Sequence, residues 1–209
     1  MKALICLSGG IDSFVAAVMI KDVQSLEDCN GVFFDYGQKT VDKEYHMALE
    51  QARYLGLDNV ERIKLPFDFG KGNVLTGKDG EQVSSYVPFR NGIFISLVVS
   101  SALKKKKDAI VVGFHLQDEE GFPDCSSGFV WAMQNAIELG TPKNDNIALL
   151  APLLKYRKKE VVQLGLKLQV PFELTYSCYV DNKKPCGKCL SCKQRAEVFD
   201  KLDLEDPIL

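Results

Sequence analysis

The chain has 209 residues, 46% of them hydrophobic, and a formal net charge of −2. This is enough for one core plus a small appendage, and it excludes a strong overall attraction to nucleic acid or to anionic membranes. The longest apolar run, 92–103, falls short of the roughly 20 residues that a membrane span needs, so we expect a cytoplasmic protein without a span.

Short apolar runs alternate with helical patterns along the chain. The periodicity predicts strands at 3–7, 31–36, 60–65, 109–113 and 147–150, and helices at 12–23, 41–55, 91–103, 128–139, 161–168 and 189–202. Such alternation is typical of a parallel sheet with crossover helices on both faces. Ligands of these sheets bind beyond the carboxyl ends of the strands. Two long loops that follow strands, 66–87 and 114–127, are expected to line that crevice.

The first predicted strand runs directly into Ser-Gly-Gly-Ile-Asp-Ser at residues 8–13, followed by a helix. Two glycines allow several backbone N–H groups to converge, and the helix N-terminus adds partial positive charge. Ser8 and Ser13 add hydroxyl donors. The segment therefore predicts a phosphate cradle, although it lacks the Gly-Lys-Ser/Thr ending of a Walker A loop.

Asp12 lies inside this cradle, where a carboxylate repels phosphate unless a cation separates the two. Two interpretations follow from the residue type. Asp12 either holds Mg²⁺ beside a polyphosphate, or it caps the following helix in a plain glycine turn.

Four of the seven cysteines, Cys178, Cys186, Cys189 and Cys192, fall within 15 residues with x7, x2, x2 spacing. Four thiolates suit tetrahedral Zn²⁺ and leave no open ligand position, which is typical of a structural site. An iron–sulfur cluster or free thiols are the alternatives.

The remaining chemistry-bearing residues give weaker signals. The two histidines, His46 and His115, form no obvious triad, so we interpret each as structural. The lysine run 104–107 suits a solvated helix end. Arg90 begins a predicted helix and suits bidentate pairing with a carboxylate or phosphate, and a surface position is the more ordinary interpretation for Lys158.

Residues 8–13 resemble the PP-loop of the N-type ATP pyrophosphatases, which form AMP and pyrophosphate. The tail, with Tyr-Ser-Cys-Tyr at 176–179 and Pro-Cys-Gly-Lys-Cys-Leu-Ser-Cys at 185–192, is similar to the 7-cyano-7-deazaguanine synthase family. Segments 34–38, 87–91 and 121–125 extend the resemblance along almost the whole chain. It implies an adenine nucleotide alpha hydrolase-type fold with a five-stranded parallel sheet over 1–172, and a zinc region over 173–209.

The resemblance implies a reaction in which 7-carboxy-7-deazaguanine is adenylated by ATP with Mg²⁺, ammonia displaces AMP, and the amide is adenylated again to give a nitrile. It implies a homodimer acting on small molecules, not on nucleic acid. The implied catalytic residues are Ser8, Asp12, Ser13 and Arg90. The implied ATP ligands are Leu7, Ser8, Gly9, Gly10, Ile11, Asp12, Ser13 and Lys158. The implied substrate ligands are Tyr36, Gln38, Arg90, Asn91, Gly113, Asp118 and Asp124, of which the last two carboxylates would accept the N–H donors of a guanine-like edge.

Two positions depart from the family pattern: Phe89 stands where glycine is expected, and Ser126 where arginine is expected. We expect the Phe89 ring to narrow the pocket or to stack on substrate. These departures keep two alternatives open. One is a paralogue that adenylates a different acceptor, such as a partner protein in a bacterial defence system. The other is a zinc-dependent RNA-binding module with an inactive nucleotide loop.

Overall fold

The computed structural model describes residues 1–25, 27–66, 75 and 85–209. Within those ranges no helix is both long and apolar enough to cross a membrane. Most of the predicted long loop 66–87 lies outside the described residues.

Five parallel strands of the described chain form one sheet, as predicted. The strands are β1 Lys2–Cys6, β2 Asp28–Asp35, β3 Val60–Lys64, β4 Ala109–Val111 and β5 Ala148–Leu150. Their order in the sheet is β3-β2-β1-β4-β5. β1 lies in the middle and pairs in parallel with both β2 and β4, in the register Leu4↔Asn30 and Leu4↔Ile110.

Six α-helices in the described ranges connect and cover the strands. They are α1 Ile11–Val23, α2 Val41–Leu55, α3 Arg90–Lys104, α4 Ser127–Gly140, α5 Lys158–Lys167 and α6 Leu190–Asp200. The predicted loop 114–127 contains two 3-10 turns, Leu116–Glu120 and Pro123–Cys125, and a third turn spans Phe172–Leu174.

The helices form two layers, one on each face of the sheet. On one face, α1, α2, α5 and α6 bury a cluster that includes Phe14, Ala48, Val161 and Phe199. On the other, α3 and α4 bury a second cluster with Ile95, Val98, Val130 and Ile137. The sheet is therefore covered on both faces, which explains the apolar runs of β1, β4 and β5.

The predicted solvated lysine run 104–107 is exposed at residues 104–106, but the prediction is wrong for its last residue. Lys107, the last residue of the lysine run 104–107, is buried. Its ammonium donates to the backbone carbonyl of Asp28 at 2.9 Å and also contacts the Asp28 carboxylate. Pairing with a carboxylate is what makes a buried lysine tolerable.

The order of the strands locates the crevice. The strands that follow β1 are added first on one side of it, as β2 and β3, and then on the other side, as β4 and β5. The order of strands therefore reverses at β1. In open parallel sheets ligands bind at such a switch point, outside the carboxyl ends of the strands. Residues 7–13, which follow β1, and Gly113, which follows β4, lie there.

Candidate functional site

The predicted phosphate cradle, residues 8–13 and called the phosphate loop below, turns sharply between β1 and α1. Gly9 has φ +77°, and a Cβ on it would lie 2.4 Å from the backbone oxygen of Glu44. Only glycine fits both that conformation and that contact. The Oγ atoms of Ser8 and Ser13 are 2.9 Å apart, and Ser13 Oγ also accepts the Ser8 N–H at 3.1 Å. The two serines thus close the loop on itself.

The end of β4 packs against the same loop. A Cβ on Gly113 would lie 2.5 Å from the backbone nitrogen of Ser13 and 2.7 Å from the carbonyl carbon of Asp12. Gly113 therefore allows the residues that follow β4 to approach the first turn of α1. The resemblance implied Gly113 as a substrate ligand, and this contact gives it a packing role.

Asp12 and Lys158 form an ion pair in the crevice. Lys158 Nζ lies 2.6 Å from each carboxylate oxygen of Asp12. Lys158 is the first residue of α5, and its backbone N–H donates to Gln117 Oε1 at 2.7 Å. The ordinary interpretation of Lys158 as a surface lysine is wrong, because its ammonium faces the phosphate loop.

His115 and Asp118 complete this cluster. His115 Nε2 lies 3.3 Å from Asp118 Oδ1 and 3.8 Å from Asp12 Oδ1. The His115 backbone N–H donates to Asp118 Oδ2 at 3.0 Å. His115 is buried, and its Nδ1 has no hydrogen-bond partner in the described chain. Sequence reasoning missed His115, and only its position two residues after Gly113 offered a signal.

The pKa values of the two carboxyl groups in this cluster, Asp12 and Asp118, are shifted in opposite directions. Burial alone would raise the pKa of Asp12, but the charges of Lys158 and His115 outweigh it and lower that pKa below its usual value. Burial raises the pKa of Asp118, and the nearby Asp12 charge adds to the shift while His115 opposes it. Asp12 is thus held as a carboxylate beside the loop.

A cavity of about 650 Å³ opens at this crevice. Its volume is in the usual range for small-molecule sites. The cavity is lined by most of the residues that the sequence singled out: Leu7, Ser8, Gly10, Ile11, Asp12, Ser13, Tyr36, Gln38, Arg90, Asn91, Gly113, Asp118 and Lys158.

Arg90 lies in the cavity wall against aromatic rings. Its guanidinium centre is 5.0 Å from the centre of the Tyr36 ring and 5.6 Å from that of Phe94, and Nη1 donates to the Tyr36 hydroxyl at 3.0 Å. Buried Nε has no partner among the described residues. The rings hold the guanidinium plane in place at the cavity wall.

Gln38 mainly shapes the turn after β2. Its Nε2 donates to the Phe34 carbonyl at 2.9 Å and to Glu44 Oε2 at 3.1 Å, and its Oε1 accepts the Tyr36 N–H at 2.9 Å. Glu44, which also lines the cavity, has a pKa raised by burial.

Asp124 and Gly9 are the two predicted nucleotide- or substrate-binding residues that do not line the cavity. Asp124 is buried, and its Oδ2 accepts the Asn91 N–H at 2.9 Å in the first turn of α3. A carboxylate there stabilises the helix start. Asn91 in turn donates from Nδ2 to Cys125 Sγ at 3.1 Å. Of the two acidic candidates, only Asp118 faces the cavity.

The two departures from the family pattern also lie outside the cavity lining. Phe89 is the N-cap of α3 with φ 54°, a left-handed conformation in which glycine is unstrained. Its ring covers Gly92 and meets Phe129 edge-on, with ring centres 5.8 Å apart. Ser126 is the N-cap of α4 and accepts the Phe129 N–H at 3.1 Å. The expectation that Phe89 narrows the pocket is therefore not met by the described cavity.

The cysteine-rich segment supplies a wall of the cavity that sequence reasoning missed. Tyr176, Ser177, Tyr179 and Ser191 all line it. The resemblance in the tail indicated these residues only as part of a metal motif, whereas the fold turns the tail back over the phosphate loop.

The four cysteines converge as predicted. The Sγ atoms of Cys178, Cys186, Cys189 and Cys192 lie within 4.8 Å of one another. A tetrahedral zinc ion with Zn–S bonds of about 2.3 Å needs sulfurs a little under 4 Å apart, so this donor set fits the ion.

Backbone N–H groups surround the sulfurs. Cys178 Sγ accepts from Val180, Asp181 and Cys186, each at 3.4 Å. Desolvation opposes ionisation of Cys186, but N–H donors from Lys188 and Cys189 lower its pKa to about 7. Such donors stabilise thiolate, the form that binds metal.

A family model described as queuosine biosynthesis protein QueC matches residues 2–203. The chain belongs to the QueC family. Two curated relatives named 7-cyano-7-deazaguanine synthase are similar over the full chain. The protein from a Nitratiruptor species is 39% identical over 218 residues, covering 100% of this chain and 98% of its own. The protein from Methanoculleus marisnigri is 38% identical over 220 residues, with the same shares covered.

Among solved structures, NMN synthetase from Francisella tularensis matches with a TM-score of 0.52 at 18% identity, covering 97% of this chain and 76% of its own. At that identity the likeness shows the fold alone. The family and the fold predicted from the motifs are both confirmed, and the relatives' names do not favour a paralogue with another acceptor or an RNA-binding module.

Proposed function

We propose that this QueC-family chain is an ATP-dependent ligase that converts 7-carboxy-7-deazaguanine and ammonia to 7-cyano-7-deazaguanine. The main support for the proposal is the geometry of the phosphate loop. Ser8 and Ser13 close the loop, and it faces Lys158 in one cavity. The substrate is proposed from the full-length similarity to relatives named 7-cyano-7-deazaguanine synthase.

The phosphate loop would hold the triphosphate of ATP. Backbone N–H groups at the start of α1, the helix dipole and the hydroxyls of Ser8 and Ser13 all favour negative charge. Lys158 adds a cation at the same place. We assign the ATP-binding role to these groups, with Leu7, Gly9, Gly10 and Ile11 supplying backbone.

The oxygen donors of the cluster suit Mg²⁺. Asp12 is kept ionised, and hard carboxylate oxygens together with phosphates are the ligands that this ion prefers. Magnesium bound there would neutralise charge on the phosphates. Asp12 would then bind the magnesium ion in place of Lys158. The Lys158 ammonium would be available to bind phosphate.

Arg90 would orient the acceptor. Its guanidinium lines the cavity with aromatic support and suits a planar carboxylate, and Tyr36 and Asn91 lie beside it. Positioning of this kind places a carboxylate oxygen for attack on the α-phosphorus of ATP, with pyrophosphate leaving. Asp118 is the acidic residue that we propose for the N–H donors of the deazaguanine edge.

The cysteine cluster would hold a structural zinc ion, because four protein ligands close the site to substrate. Zinc bound there would fix the fold of 173–209 and the wall that this segment gives to the cavity. A colourless protein that contains one zinc per chain is expected, whereas a brown protein would indicate an iron–sulfur cluster.

We also propose a cytoplasmic homodimer. Trp131 on α4 is 72% exposed, and Phe89, Leu97 and Leu139 are exposed large apolar residues on the α3–α4 side of the sheet. Exposed apolar patches often mark interfaces between proteins. Sedimentation velocity is expected to give twice the chain mass, and a monomer at micromolar concentration would contradict this.

A pyrophosphate-release assay tests the proposed function. Release is expected only when ATP, the deazaguanine acid and ammonium are all present. Asp12→Ala should abolish it without unfolding the chain, while Asp22→Ala, an exposed change in the same helix, should leave it unchanged. Full activity of Asp12→Ala would refute the assignment of the loop.

A further inference from the structure

A short segment joins the phosphate loop to the cysteine cluster. The Tyr176 N–H donates to the Gly9 carbonyl at 2.8 Å. Two residues later Cys178 begins the cluster, and the buried Tyr176 ring packs with Cys178 and Cys192. The backbone that would grip the triphosphate is therefore hydrogen-bonded to the segment that would bind the metal.

A buried ion pair fixes the other side of this segment. Arg195 is 3% exposed, and its Nε and Nη2 donate to the Asp206 carboxylate at 2.7 and 2.9 Å. Nη1 donates to Thr175 Oγ1 at 2.6 Å. Because Thr175 is fully buried and precedes Tyr176, the pair sets the position of the amide that bonds Gly9. A bidentate arginine–carboxylate pair has a fixed geometry, which suits this task.

Gln51 makes a second connection. Its fully buried side chain donates from Nε2 to the Leu174 carbonyl at 2.9 Å and to the Gly10 carbonyl at 3.3 Å. Both glycines of the loop are thus bonded, directly or through Gln51, to residues 174–176.

We propose that Arg195 and Asp206 are positioning residues for the phosphate loop, and that metal binding at the cysteines and nucleotide binding at the loop are coupled through Tyr176. The inference rests on the nucleotide role proposed above. Coupling of this kind is reciprocal: if zinc tightens ATP binding by some factor, ATP tightens zinc binding by the same factor.

Asp206→Asn tests the positioning role, since asparagine keeps the shape and removes the charge. We expect calorimetric titration with MgATP to show affinity reduced at least about fivefold. We also expect faster hydrogen exchange at the Tyr176 amide and an unchanged zinc content per chain. Asp200→Asn removes an exposed carboxylate from α6 and should behave as wild type. Unchanged ATP affinity and Tyr176 exchange in a folded Asp206→Asn protein would overturn the role.

The wild-type protein tests the coupling without any variant. Its zinc dissociation constant is measured by chelator competition, with and without saturating MgATP. Tighter zinc binding in the presence of MgATP, by about fivefold or more, supports the coupling. If the protein binds MgATP but its zinc affinity does not change, the coupling is overturned and the proposed function stands. If it binds no MgATP, both fail.

Discussion

The ammonium of Lys158 lies 2.6 Å from both carboxylate oxygens of Asp12, although 146 residues separate them in sequence. The pair links the first turn of α1 to the first turn of α5. It places a positive charge beside a loop already suited to phosphate, and it keeps Asp12 ionised. Catalysis by such a site depends mostly on holding charge in position.

Lys158→Met should remove that charge while keeping most of the side-chain volume. We expect kcat/KM for pyrophosphate release to fall by about 100-fold or more, because removing one preorganised electrostatic contact costs this much in comparable sites. Lys167→Met, in the last turn of the same helix, is the control. Equal kcat/KM in the two variants would show that Lys158 does not act on the nucleotide.

Gly113→Ala should push β4 away from the phosphate loop. The added methyl would lie 2.5 Å from the Ser13 nitrogen, a contact that only a backbone shift relieves. Overpacking of this kind costs about 1–3 kcal/mol, and here the cost falls on the loop that would bind ATP. Calorimetry should show weaker MgATP binding.

The matched control is Gly128→Ala, since a methyl group on Gly128 meets no atom within 4 Å from the described parts of the chain that pack around its helix. It should bind MgATP as wild type does. Wild-type affinity in Gly113→Ala would mean that the close approach of β4 does not shape the nucleotide site.

Asp118→Asn should make the ligand-free fold more stable at neutral pH and less active. The pKa of Asp118 is raised in the folded state, so between its unfolded and folded pKa values the folded chain binds more protons. The protonated Asp118 carboxyl therefore stabilises the fold below the usual aspartate pKa. This stabilisation is lost as pH rises through the pKa of Asp118 in the folded state. Asparagine has no such loss.

Urea unfolding at pH 4, 6 and 8 measures this difference. The stability advantage of Asp118→Asn over wild type should grow with pH. An advantage that shrinks with pH would mean that Asp118 is stabilised as a carboxylate.

Phe89→Gly should leave the reaction unchanged. Glycine relieves the left-handed backbone, which costs other residues about 1–2 kcal/mol, but it also loses ring packing and adds entropy to the unfolded chain. We expect a net change in the free energy of unfolding within about 1 kcal/mol, and kcat/KM for the acceptor within about twofold of wild type. An acceptor KM changed by about tenfold or more would place the ring at the substrate.

The strands and helices were predictable because their signals are local. Apolar periodicity predicted all five strands and six α-helices of the described chain, with ends off by one to a few residues. The phosphate loop and the cysteine cluster were also predictable, because each needs particular residues at short spacing. Identification of the family followed from the same motifs.

Contacts between distant segments were not predictable from a single chain. Lys158 and His115 resemble ordinary surface and structural residues until the fold brings α5 and the β4 loop to Asp12. Asp124 resembled a ligand, because its bond to the Asn91 N–H is visible only in three dimensions. The cavity wall formed by Tyr176 and Tyr179 was missed for the same reason.

The most direct test of the proposed ligase uses ¹⁸O-labelled 7-carboxy-7-deazaguanine with ATP, Mg²⁺ and ¹⁵N-ammonium, followed by mass spectrometry. Two adenylations carry both carboxylate oxygens into AMP. We therefore expect ¹⁸O-labelled AMP, two AMP for each nitrile, and ¹⁵N in the nitrile. Unlabelled AMP, or release of ADP and phosphate in place of AMP and pyrophosphate, would contradict it.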